Sequence, residues 1–261
     1  MMLMNPVLAP LWLGGLIWLF FWRDGRRFRI LGIVYIVMLV TFIALHGKNY
    51  YLSSVYPMLF AAGAVAFEQM TSRVRWPRVL YAILIVGSTV VLAPTVSPVL
   101  SPECAIAYQK SLGLEPPKAE NQRTGPLPQY FADEFGWEEM ARETARIYDS
   151  LPPDERAKTA VFANSYGQAG AIDFFGPRFG LPKSICNHQS YWLWGPRGYD
   201  GSTVIVLGSD GTGDREHFAN VEVVGRTEHP YSRRDEQFDI FLCRGFTGDL
   251  RKAWGGMKKY D

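Results

Sequence analysis

Acidic side chains are almost missing from the first part of this 261-residue chain. Residues 1–96 contain only Asp24 and Glu68 against eight lysines and arginines, a net charge of +6. Residues 97–261 carry nineteen basic and twenty-three acidic side chains, a net charge of −4. That division excludes one uniform globule and points to a membrane portion joined to a water-soluble one. The second portion is long enough for its own core, since domains usually run to about 100–150 residues. Cysteine is scarce. Cys104, Cys186 and Cys243 are too few and too scattered for a metal site, and no Cys-x-x-Cys occurs. They fit either one disulfide with a thiol left over or three separate buried thiols. The start "MMLMNPVLAPLWLGG" has no basic residue, so it does not read as a secretory signal. Charge within the apolar runs is nearly absent, which argues against an ion or proton pathway.

What is present is length without charge. Four uncharged windows occur, 1–22, 30–47, 49–67 and 79–102, and a spanning helix needs roughly 20 mostly apolar residues. The windows predict four transmembrane helices, about 7–22, 30–46, 51–69 and 79–97. In the third, Ser53, Ser54 and Pro57 loosen one end, and a re-entrant segment is the alternative. "RDGRRFR" and "SRVRWPR" hold most of the basic residues of this half. Short basic loops mark the cytoplasmic side, so the loop around His46 and everything after about residue 97 is expected outside, on an inner (plasma) membrane. The chain would then begin outside, in mid-pattern, as the tail of a longer polytopic protein would.

"HGKNYYLSSVYPMLF" (46–60) sits at that outer boundary. Tyrosine is enriched at membrane interfaces and lysine snorkels there, so an ordinary aromatic belt accounts for the cluster, and composition by itself favours it. The functional alternative is that Lys48, with the hydroxyls of Tyr50 and Tyr51, holds a lipid-linked phosphate. An anionic phosphate needs several donors once it is partly desolvated.

Beyond the spans, residues 97–128 are rich in proline and polar side chains and read as a linker. Residues 129–261 then alternate strand and helix. A helix carries Phe135, Met140, Ile147 and Leu151 at helical spacing and ends before Pro152 and Pro153. Strands are expected at Thr159–Ala163, "STVIVLG", "VEVVGR" and "QFDIFLCRG", with helices from about Tyr166 and near "GDREHFA". This alternation predicts a three-layer α/β domain with a mostly parallel sheet. "NSYGQAG" follows a strand, but the full Gly-x-Gly-x-x-Gly pattern and its ribose-binding acid are lacking, so its glycines read as allowing close packing. "NHQSYWLWGP" gathers His188, Tyr191, Trp192 and Trp194 in one loop. Sugar rings stack on such aromatic faces, and loops beyond strand ends are where α/β sites form. A buried aromatic plug fits the same residues equally well. Asp173, within the helix, could accept a hydrogen bond in such a site, but a capping or solvated carboxylate is the favoured reading. No Gly-x-Ser-x-Gly elbow supports a hydrolase, and His188 alone is not a triad.

The stretch "GKNYYLSSVYPMLFAAGAVAFEQ" resembles the late-transmembrane motif of bacterial polytopic glycosyltransferases, the dolichyl-phosphate-mannose–protein mannosyltransferase and aminoarabinose-transferase-like group of GT-C architecture. "YGQAGAIDFFGPRFGLP" and "HQSYWLWGP" resemble the extracytoplasmic C-terminal domain of one bacterial branch, so the resemblance runs roughly from residue 7 to the end. It implies transfer of a sugar from a polyprenyl-phosphate donor to a glycan or lipid acceptor on the outer face. The implied partners are that lipid-linked sugar and membrane lipid, and not nucleic acid. The family's catalytic carboxylates lie in a first outer loop, whereas residues 46–51 here hold no Asp or Glu. The expectation is therefore a C-terminal half, inactive alone, with no catalytic residue of its own. The alternative is a non-catalytic, membrane-anchored protein that binds a glycan or a partner.

Overall fold

The computed structural model describes residues 4–114, 123 and 125–260. The chain divides into two compact units, 1–120 and 121–261.

The first unit is helical, with α1 (Ala9–Phe21), α2 (Arg29–Ala44), α3 (Tyr56–Met70), α4 (Trp76–Val96) and α5 (Pro102–Ser111). Among the described residues, three helical stretches are long and apolar enough to cross a membrane: Arg26–Ala44, Tyr50–Met70 and Trp76–Val96. The last two, at 21 residues each, reach about 30 Å, the thickness of a bilayer's hydrocarbon core. The expected first span, 7–22, is a shorter apolar helix, Pro6–Phe21. It stops because Trp22 turns extended (ψ 143°) and the chain reverses at Gly25, where any Cβ would collide with the Trp18 carbonyl. Pro57, expected to loosen the third span, sits in the first turn of α3, where a missing N–H costs nothing.

Helices α1 and α3 pack backbone to backbone. A Cβ on Gly15 would strike the Leu59 carbonyl, and one on Gly63 the Leu11 carbonyl. Small residues at such crossings let helices approach closely where lipid gives no hydrophobic drive. Trp18 Nε1 donates to Gln69 Oε1 at 2.9 Å across the same pair. Arg78 closes the end of α3, donating to Thr71 Oγ1 at 2.8 Å and to the Glu68 carbonyl at 2.8 Å. Part of the expected linker is ordered as α5, whose N-cap Ser101 accepts from Cys104 N and whose first and last turns carry Glu103 and Lys110. Of that linker, residues 115–122 and 124 lie outside the described residues.

The second unit contains α6 (Gln129–Ala132), α7 (Trp137–Ser150), α8 (Pro153–Arg156), β1 (Thr159–Ala163), α9 (Tyr166–Phe175), β2 (Thr203–Leu207), α10 (Thr212–His217), β3 (Phe218–Arg226), β4 (Asp239–Phe246) and α11 (Leu250–Ala253). The expected strands are all present, but the sheet is mixed, not mostly parallel. Its order is β1-β2-β4-β3, with β1 and β2 parallel and the other two pairings antiparallel. Strand β4 follows β3 through a connection that holds no α-helix, so it returns beside β3 as an antiparallel neighbour, since a parallel one usually needs a helical crossover, and it seats β3 at the sheet's edge.

Alternation along the strands makes two cores. Val161, Ile205, Leu207, Ile240 and Leu242 face α7 and α9, alongside Met140, Ala141, Ile147 and Ile172. Ala160, Val204, Val206, Phe241 and Cys243 face the other way, against Leu250 and Trp254. The first face has a true helix layer. Among the described residues the second has short helical turns over it, so the third layer is thin.

Candidate functional site

The Lys48 corner is built by the end of α2. Gly47 N donates to the Phe42 carbonyl at 2.8 Å, and a Cβ on Gly47 would press 2.8 Å from the Phe42 ring. Lys48 then N-caps a 3-10 turn, Asn49–Val55, that leads into α3. Ser53 and Ser54 hydroxyls donate back to the Tyr50 and Tyr51 carbonyls at 2.6 and 3.1 Å. The serines thus complete the turn's hydrogen bonding. Within that turn Lys48 Nζ lies 5.8 Å from the Tyr50 ring centroid, and the Tyr50 and Tyr51 rings meet edge to face at 4.8 Å. Both tyrosines are exposed, at 37 and 48%. The structure therefore gathers one cation and two phenols on a single exposed turn.

The aromatic loop is positioned by the sheet edge. Ile185 pairs alongside β1, its N donating to Val161 O and its O accepting from Ala163 N, each at 2.9 Å. The chain then passes His188 into a 3-10 turn, Gln189–Trp194, pinned by the C-terminal segment through Gln189 N to Lys259 O at 2.8 Å. The four residues separate into two kinds. Trp192 and Trp254 exchange indole N–H to carbonyl hydrogen bonds, both 2.9 Å, and Trp192 packs on the thinly covered face. His188 turns toward the Tyr166 ring at 5.0 Å. Tyr191 and Trp194 instead meet edge to face at 4.5 Å, and Trp194 stands 57% exposed with the Arg197 guanidinium 5.7 Å from its ring. Burial, then the Asp173 charge, push the Tyr191 phenol up from its ordinary value.

Asp173 ties this region to α9. It accepts from Ser184 N at 2.7 Å and Ser184 Oγ at 2.9 Å, with Arg197 3.8 Å away. "NSYGQAG" forms a capping box in which Ser165 and Gln168 satisfy each other's backbone groups. Its glycines make room for aromatic rings, Trp137 over Gly167 and the Tyr191 hydroxyl over Gly170. All three cysteines are free thiols, Cys104 exposed and the other two buried. No cluster of metal-ligating side chains occurs among the described residues.

One feature escaped the sequence reading. On the thinly covered face, a cleft of about 260 Å³ receives Asn164 from just after β1, Ser209 from just after β2 and Asp214 and His217 from α10. The available signal was the polar residues that directly follow two buried strands, "AN" at 163–164 and "LGSD" at 207–210, the usual position of α/β sites.

Comparison with protein-family models, with curated proteins and with solved structures returns no match.

Proposed function

We propose that the chain is part of an integral-membrane glycosyltransferase of the inner membrane, moving a sugar from a polyprenyl-phosphate donor to an acceptor on the outer face. The observation that carries this reading is the Lys48–Tyr50–Tyr51 turn. It lies where two stretches long enough to span a membrane meet, and it carries an ammonium on the same turn as two phenols, 5.8 Å from the ring of the first. An ammonium and phenolic O–H groups together suit a phosphate, because charge-assisted hydrogen bonds are the strong ones. The text resemblance around "GKNYY" supports the same assignment. In this reading Lys48 holds the donor phosphate and the C-terminal unit works on the acceptor side. The general base that sugar transfer needs comes from outside the 46–51 loop.

A second reading, a membrane-anchored glycan- or partner-binding protein without catalysis, is favoured by the exposed Tyr191–Trp194 pair. The two readings separate at Lys48. Polyprenyl phosphate and the corresponding polyprenol, offered to the chain in nanodiscs, should differ sharply in retention by native mass spectrometry. Lys48→Ala should lower phosphate-lipid retention by about tenfold or more, the size expected for a hydrogen bond to a charged group. Equal retention of both lipids, or no effect of Lys48→Ala, refutes the donor-site reading and leaves the second.

A further inference from the structure

We propose that the cleft under the thinly covered sheet face binds a single neutral, polyhydroxylated ring of monosaccharide size. This assignment stands independently of the lipid-phosphate site at Lys48. Its volume, about 260 Å³, falls just under the roughly 300–1,000 Å³ of sites for drug-sized ligands, which suits one six-membered ring and not a chain of them.

The lining sets the chemistry. The polar groups are Asn164, Asn187, Ser209, Asp214 and His217. One N–H of each amide is used inside the protein, Asn164 Nδ2 on Gly208 O and Asn187 Nδ2 on Met257 O, each at 2.9 Å, and each amide has a second N–H. Ser209 Oγ donates to Asp214 Oδ2 at 2.6 Å and accepts from Gly211 N at 3.0 Å. What remains is a mixture of N–H donors and acceptor oxygens, which hydroxyl groups can serve in both senses. Asn187 Oδ1 is buried and has no hydrogen-bond partner among the described residues. A carboxylate offers about four lone-pair sites, so Asp214 can accept from more than Ser209. A ligand with several hydroxyls can donate to the Asp214 carboxylate and accept from the amide N–H groups together. Two amides and a hydroxyl against one carboxylate favour a neutral polyol over a cation.

The rest of the lining is apolar. Phe218 and Phe246 meet edge to face at 5.3 Å and line the cleft with Phe162, Val204 and Val206. A pyranose has this same division, C–H faces that pack on aromatic rings and a rim of hydroxyls. Among the described residues short turns cover this face, and that thin cover leaves room for the cleft.

The test uses the full chain in detergent and a set of methyl pyranosides at millimolar concentration, read by saturation-transfer NMR, with cyclohexylamine as a cation of matching size. At least one pyranoside should bind. Gly213 lines the cleft, and a Cβ there meets no atom within 4 Å, so Gly213→Phe should fill the space and abolish binding without lowering the melting temperature. Asp214→Asn keeps the shape and should weaken binding by about tenfold; it carries the test if the phenylalanine variant misfolds. Failure of every pyranoside to bind overturns the assignment. So does binding that neither substitution changes, which would move the sugar to the Tyr191–Trp194 surface. Preferential binding of cyclohexylamine would also overturn it.

Discussion

At the residue scale, burial decides what the titratable groups do. The Cys243 thiol is pushed up to about 12, first by burial and then by the nearby Asp214 charge, and burial likewise raises Cys186. A thiol reacts as its thiolate, so neither should react near neutral pH, whereas Cys104 is exposed. Maleimide should therefore modify one thiol per native chain and three after denaturation, counted by intact mass. Glu236 shows the same effect on a carboxyl. It accepts from Gln168 Nε2 at 3.0 Å and pairs with Arg233 at 3.0 Å, and Arg233 also pairs with Asp133. Burial nonetheless outweighs Gln168 and Arg233, and with Asp133 and Asp235 nearby it raises the Glu236 carboxyl above the ordinary range. A raised carboxyl means that the folded state holds its proton longer than the unfolded one. Its stability contribution is full below the ordinary glutamate value of about 4.3 and is lost as pH rises through the raised value. Denaturant melts should show native and Glu236→Gln chains diverging between acidic and neutral pH, with the native chain losing ground. A constant gap across that range would refute the assignment.

At the scale of elements, the α1–α3 crossing is the tightest contact in the first unit. Gly63 faces the Leu11 carbonyl so closely that no side chain fits, while a Cβ on Gly14, one residue from Gly15, meets nothing within 4 Å. Gly63→Leu should destabilise the helical unit by about 1–3 kcal/mol or more, the usual cost of overpacking. Gly14→Leu should leave it nearly unchanged. Titration with a denaturing detergent measures both. Helix identities here were readable because an uncharged run of such length has one stable conformation in lipid. The stop after Phe21 was readable to within a residue from the charged run that begins at Arg23, whereas the packing of Gly25 beneath Trp18 was not, because hydropathy does not encode that contact. In the second unit, strands β1 to β4 were readable from alternation and length. "WLWGP" showed aromatics but not their roles, since only the Trp192–Trp254 exchange separates a pinned indole from the exposed one two residues later.

At the scale of the molecule, the charge asymmetry is the ordering principle. With Arg23, Arg26, Arg27 and Arg29 around the start of the long helix ending at Ala44, and Arg73, Arg75 and Arg78 after the one ending at Met70, the orientation we propose follows the basic-inside rule and has the Lys48 turn and the C-terminal unit outside. Ser190 is exposed, so Ser190→Cys in a Cys104→Ser background should react with a membrane-impermeant maleimide on intact spheroplasts. Protection until the cells are opened would place this unit inside and remove the outer-face reading of both sites.

The sequence by itself determined the two-part division, the long apolar helices and the positions of four strands, because each follows from local hydropathy and its period. It also determined that Lys48, Tyr50 and Tyr51 would be neighbours, since they share one turn. Only the tertiary structure decided which strands pair in which direction, which tryptophan is pinned, and that polar residues from 164, 187, 209, 214 and 217 line one cleft. Those outcomes depend on hydrogen-bond partners and packed faces far apart along the chain, where local pattern carries no direction.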